Sequence, residues 1–106
     1  MGQYKIIRTD TADAGLRKII LSIAENFGTE TAVKKLDDIE RQISLLSDHP
    51  YMGMDPKYMV LRRQKFKVLI LEKNLVFYKI NEAKRLVTVY AIVDQRQDYV
   101  HIVRGI

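Results

Sequence analysis

The chain has 106 residues, 47% of them hydrophobic and 29% charged, and contains no cysteine. That length predicts a single domain over residues 1–106 with room for one core, and the missing cysteines exclude disulfides and thiolate metal sites. Two histidines, His49 and His101, are too few for a zinc or iron site, so neither a metal nor a cofactor is expected.

The net charge of +5 is unevenly spread. Residues 1–57 hold eight Lys/Arg against nine Asp/Glu, a net −1, while residues 58–106 hold ten against four, a net +6. A basic half points to a polyanionic or acidic partner, against the plainer reading of solubility charge on an exposed face. The start, Met1-Gly2-Gln3-Tyr4, has no apolar stretch of signal-peptide length, and the longest aliphatic run, Val68-Leu69-Ile70-Leu71, is too short to cross a bilayer. A cytoplasmic protein with no membrane partner is the expectation.

Tyr4 to Arg8 alternates in β fashion and reads as a first strand. Thr9, Asp10 and Thr11 follow, each able to cap a helix by accepting a hydrogen bond from a free backbone N–H. Ala12, Leu16, Ile19, Ile20, Ile23 and Phe27 then form one apolar stripe, the mark of an amphipathic helix. Gly28 can end it in the left-handed conformation. Thr29 is a suitable cap for a second helix, whose seam of Ala32, Leu36, Ile39, Ile43 and Leu46 suits packing on a neighbour. So short a link implies an antiparallel helical hairpin.

Ser47 to Pro56, with two prolines and a glycine, is a loop. Tyr58 to Arg63 fits either a short strand or a turn of helix. Phe66 to Leu71, Leu75 to Ile80 and Leu86 to Val93 read as three strands, joined by turns at Glu72-Lys73-Asn74 and Asn81 to Arg85. Short links force antiparallel pairing, so this is a meander. The last strand divides into Val87, Val89 and Ala91 on one face and Leu86, Tyr90 and Ile92 on the other. Val100 to Ile106 reads as a tail or a strand end. The order β-α-α-β-β-β predicts an α+β fold, its N-terminal helical hairpin on one face of a small, mainly antiparallel sheet. The other face is expected to stand open as a binding surface.

No glycine-rich phosphate loop, Ser/His/Asp set or metal-ligand spacing is present. The sheet half carries cations with tyrosines instead. Arg62, Arg63, Lys65 and Lys67 lead into the first strand of the meander, Arg96 leaves the last, and Tyr99 follows. If adjacent antiparallel strands bring these ends together, the arginines could hold a phosphate and stabilise phosphoryl charge. Tyr99 could then transfer a proton or stack on a base. The competing readings are a solvated charge run for Arg62 to Lys67 and a surface salt bridge from Arg96 to Asp94 or Asp98. For Tyr58, Tyr78 and Tyr90 the competing reading is packing.

Nearly the whole chain resembles the RelE/ParE superfamily of bacterial toxin–antitoxin toxins. The likeness lies in Tyr4-Lys5-Ile6 with Thr11-Ala12, in the helical hairpin, and in Leu46 to Gly53, which looks like an L-x-x-x-P-x-M-G loop. It continues in Asn74-Leu75-Val76-Phe77-Tyr78-Lys79-Ile80 and in Ile92 to Tyr99, which resembles a strand-and-exit motif ending in R-x-D. The resemblance implies a small cytoplasmic toxin of RelE/ParE-like fold, neutralised by a cognate antitoxin that wraps around it.

It also implies one of two targets. RelE-type members cleave mRNA in the ribosomal A site, the 2′-OH attacking the adjacent phosphate with help from basic residues and a tyrosine. ParE-type members inhibit DNA gyrase and are not nucleases. On the first reading Arg96, Lys67, Tyr99 and Arg62 are catalytic, and Arg63, Lys65 and Arg96 hold nucleic acid. Arg96 stands where RelE-type enzymes have an arginine on the last strand, and Lys67 where they have one on the preceding basic strand. Two departures are visible: Tyr58 and Val60 replace upstream lysines, and the tyrosine comes early at Tyr99, with Ile102 in its usual position. The Pro-x-Met-Gly loop and the long hairpin look more like ParE-type and plasmid-stabilisation members. The tyrosine and cations at the sheet end tip the expectation toward ribosome-dependent mRNA cleavage. Gyrase inhibition is the alternative, and a member keeping only antitoxin binding is a third reading.

Overall fold

The alternating segment near the N-terminus forms β1 (Lys5–Arg8) in the computed structural model, which describes residues 3–105. Thr9 then caps α1 (Asp10–Phe27): its hydroxyl accepts from the Ala12 N–H at 3.1 Å and donates to the Tyr90 carbonyl at 3.0 Å. Asp10 and Asp13 in the first turn complement the helix dipole. Gly28, at φ +94°, closes α1 and directly opens α2 (Thr29–Ser44). Thr29 is therefore the first helical residue and not the cap, because glycine alone takes that backbone angle cheaply. Two short 3-10 turns, Leu45–Ser47 and Pro50–Met52, carry the chain to α3 (Met59–Arg63).

The meander follows as β2 (Lys67–Ile70), β3 (Asn74–Asn81) and β4 (Leu86–Asp94). The sheet order is β1-β4-β3-β2, with β1 parallel to β4 and the other pairs antiparallel. The expected hairpin on one face is present. Ala12, Leu16, Ile39, Ile43 and Leu46 pack there on Leu69, Val76, Tyr78, Val87, Val89 and Ile92. Phe27, at the end of the predicted stripe, does not join this core and stays 73% exposed.

Two expectations are corrected. Val87, Val89 and Ala91 do not share a face. Phe77 pairs with Ala91 but Tyr78 pairs with Val89, so Tyr90 is the extra residue of a β-bulge. The bulge flips the alternation: Val87, Val89 and Ile92 face the hairpin, while Tyr90, Ala91 and Val93 pack on the opposite side. The freed Tyr90 carbonyl is the one that Thr9 holds, which ties the bulge to the start of α1.

The opposite face is covered. Tyr58 to Arg63 resolves as helix α3, and the segment expected as a tail forms a further helix, α4 (Tyr99–Arg104); Ile106 lies outside the described residues. Leu61 of α3 and Val103 of α4 are fully buried against Phe66, Val68, Leu75, Phe77, Ala91 and Val93. Tyr99, Ile102 and Val103 recur at helical spacing, but over too short a stretch for periodicity to stand out. Burial against the sheet is what holds so short a helix.

Candidate functional site

Register decides where the predicted cations go. Lys67 pairs with Tyr78, which pairs with Val89, whereas the end of β4, Asp94, pairs with Asn74. In an up-down-up meander the first and third strands run the same way. The start of β2 and the exit of β4 therefore lie at opposite ends, separated by about 15 Å of strand rise. The two ends do not meet, contrary to the sequence expectation.

At the start of β2, Lys67 shares the face of Leu69 and Tyr78 and pairs with Asp55 at 3.5 Å. Arg62 donates from Nε to the Pro56 carbonyl at 2.5 Å, which fixes its stem while the side chain stays exposed. Arg63 and Lys65 are exposed, Lys65 at a positive φ of 68°.

At the exit, Arg96 is 89% exposed and forks onto Asp94, with Nε to Oδ1 and Nη2 to Oδ2 both at 3.2 Å. The Arg96 backbone N–H adds a bond to the same carboxylate at 2.8 Å. These two contacts, the side chain first, hold Asp94 below the usual carboxylate range. Gln95 pins the exit to the β2–β3 turn, its amide donating to the Leu71 carbonyl at 2.8 Å and its backbone N–H to Lys73 at 3.0 Å. Arg96 faces a groove of about 410 Å³ between the hairpin and this turn, where Lys35, Lys73, Asn74 and Phe27 also lie.

Tyr99 opens α4 on the other face. Its ring packs 5.2 Å from Phe77 and edge-on to Tyr58 at 5.8 Å, centroid to centroid. Burial, and then the neighbouring Tyr58, raises its pKa, which keeps the hydroxyl protonated and disfavours a role as base. Tyr99 lines a separate groove of about 340 Å³ with Met54, Pro56, Lys57, Ile70 and Phe77. Lys79 sits over Phe66 and Tyr90 on the same side of the sheet, 4.5 and 5.1 Å from the ring centroids.

The predicted set is thus divided, with Arg96 and Lys67 on the hairpin side and Tyr99 with α3 on the other. Sequence reasoning missed Lys35, Lys73, Asn74 and Lys57. Lys73 and Asn74 were read as turn, yet Asn74 begins β3 and is only 2% exposed. The loop motif has a structural role: the buried Tyr78 hydroxyl donates to the Pro50 carbonyl at 2.7 Å and accepts from the Gly53 N–H at 3.0 Å.

Residues 6–99 match the family described as the ParE toxin of the type II toxin–antitoxin system parDE. The chain belongs to the ParE toxin family. Among curated proteins none matches. Among solved structures, a chain of the chromosomal ParDE toxin–antitoxin system of Pseudomonas aeruginosa (P. aeruginosa) is similar at a TM-score of 0.73 and 19% identity, covering 87% of this chain and 96% of that one. A chain of the RelBE2 toxin–antitoxin complex of Mycobacterium tuberculosis is similar at 0.56 and 16% identity, covering 88% and 99%. At those identities the likeness shows a shared fold. Among the described residues no helix is long and apolar enough to cross a membrane.

Proposed function

We propose that this ParE-family toxin arrests growth by contact, as a ParE-type inhibitor of DNA gyrase, and that a cognate antitoxin neutralises it. The observation that carries the reading is the division of the predicted cations. Cleavage by 2′-OH attack needs a base, a charge-stabilising cation and the phosphate within hydrogen-bond reach of one another. Here Arg96 is occupied by Asp94 on one face, and Tyr99, protonated and packed between rings, belongs to the other. The Pro50-Tyr51-Met52-Gly53 loop held by Tyr78 supports the same reading, since the resemblance to ParE-type members rests partly on it.

The second reading, ribosome-dependent mRNA cleavage, draws on Lys57, Arg62 and Tyr99 lying on one side of the sheet. On that reading Arg63 and Lys65 would track the RNA backbone. Primer extension on mRNA from cells expressing the toxin separates the two. Intact transcripts accompanied by gyrase-trapped DNA breaks are expected, and codon-phased cuts would defeat the proposal.

A further inference from the structure

Side chains alternate along β3, and Val76 and Tyr78 belong to the core under the helical hairpin. Asn74, at the start of the same strand, therefore presents its amide to that face. It lines the groove of about 410 Å³ at Arg96. The residue is 2% exposed, yet its Oδ1 has no hydrogen-bond partner among the described residues. A buried amide left unpaired costs folding free energy unless a ligand satisfies it.

The rest of the groove says what such a ligand looks like. Ile23 and Phe27 form an apolar wall, and the Phe27 ring, 73% exposed, belongs to no core. Lys35, Lys73 and Arg96 stand against Glu72 and Asp94, three cations to two carboxylates. Arg96 meets Asp94 through Nε and Nη2, which leaves Nη1 to donate elsewhere. An apolar ligand would leave the amide unpaired, and a bare phosphate would leave Phe27 and Ile23 uncovered. A flat heterocycle with a donor beside an acceptor, carrying an anionic tail, uses all three features. Adenine has that edge: its N6 amino group lies beside N7, and an asparagine amide meets the two bidentately. Aromatic side chains stack on bases, and lysine and arginine hold phosphates. A volume of about 410 Å³ lies within the range of small-molecule sites.

We propose that this groove binds a free adenine nucleotide. The N6 amino group donates to Asn74 Oδ1, the Asn74 amide N–H donates to N7, and the base lies on Phe27. The phosphates meet Lys35, Lys73 and the free nitrogen of Arg96, away from Glu72. Asn74 is then the residue that selects the base, because a ligand with an acceptor in place of the amino group sets oxygen against Oδ1. The site does not depend on which target the toxin arrests.

The test is calorimetric titration of the purified toxin with ATP, with ITP and with single-stranded oligoadenylate. ITP carries an oxygen in place of the N6 amino group and should bind about tenfold more weakly than ATP. Asn74→Leu should weaken ATP about tenfold and leave ITP nearly unchanged, which erases the preference. The same substitution should hold or raise the Tm of the free toxin, since it removes an unpaired amide. A merely structural asparagine would lower the Tm and move both nucleotides alike. Phe27→Ala, at an exposed side chain outside the core, should weaken ATP and ITP together, again about tenfold. Lys73→Ala should weaken ATP more than adenosine. Equal affinity of the unsubstituted toxin for ATP and ITP, or no binding of either at millimolar concentration, overturns the site. Oligoadenylate bound more tightly than ATP overturns the free nucleotide in favour of a nucleic-acid strand.

Discussion

The hydroxyl of Tyr78 bridges two backbone groups of one loop, donating to Pro50 and accepting from Gly53. A Cβ at position 53 would overlap that hydroxyl and the Val68 carbonyl, so the glycine is there because the tyrosine is. Through this contact β3 fixes the loop, and the loop fixes Met54, which bridges β2 at Val68 and covers part of the sheet edge.

Tyr78→Phe strips both bonds and leaves a buried carbonyl and a half-buried N–H unpaired, which should cost about 1–3 kcal/mol in urea denaturation. Gly53→Ala should cost at least as much, because the backbone of Val68 cannot yield as a flexible side chain can. A Gly53→Ala protein as stable as the parent would show that the loop is not held in this way.

Gly15 offers a test in which two effects oppose each other. Alanine favours helix over glycine by about 1 kcal/mol, so propensity alone predicts a gain. A Cβ at position 15, however, would run into the Ile92 carbonyl of β4, where α1 lies against the sheet. Gly15→Ala should therefore lower the urea midpoint, the overlap outweighing propensity; a higher midpoint would place α1 further from β4 than described.

Much of this was legible in the sequence. The stripes of α1 and α2 recur over four or more turns, and Leu16, Ile39 and Ile43 are buried as their spacing predicts. The bulge at Tyr90 was not legible, because the bond that holds its carbonyl comes from Thr9, 81 residues away in sequence. Helix α4 was missed, and α3 was left open against a strand, because tertiary burial stabilises both more than any local pattern does. The division of the cations was available in principle, since the first and third strands of any meander point the same way. The buried amide of Asn74 gives no sequence signal, for asparagine beside lysine reads as a turn.

The Glu82 carboxylate accepts bonds from both the Tyr4 and Tyr51 hydroxyls, which joins the N-terminal segment and the Pro50 loop to the β3–β4 turn. The bond to Glu82 is the largest cause pushing the Tyr51 pKa up to about 12. A folded-state pKa above the unfolded one contributes stability that is complete below about pH 10 and is lost as pH rises toward the folded value. Phenolate absorbance should show one tyrosine titrating near that upper value, and Glu82→Gln should bring it back toward the ordinary range. A Tyr51 that titrates ordinarily in the unsubstituted protein would break the cluster.

Among the described residues the Arg96 side chain bonds to Asp94 and is 89% exposed, so Arg96→Ala should change stability by no more than about 0.5 kcal/mol. The same change should abolish growth arrest in cells, with the protein expressed at the level of the parent. Undiminished arrest at equal expression would remove Arg96 from the functional surface.

The central claim, action on gyrase by contact, is tested most directly by adding purified toxin to purified DNA gyrase and relaxed plasmid. The account predicts loss of supercoiling with rising toxin concentration, and its restoration by the antitoxin. Full supercoiling at saturating toxin, alongside codon-phased cleavage of mRNA on ribosomes by the same preparation, would contradict it.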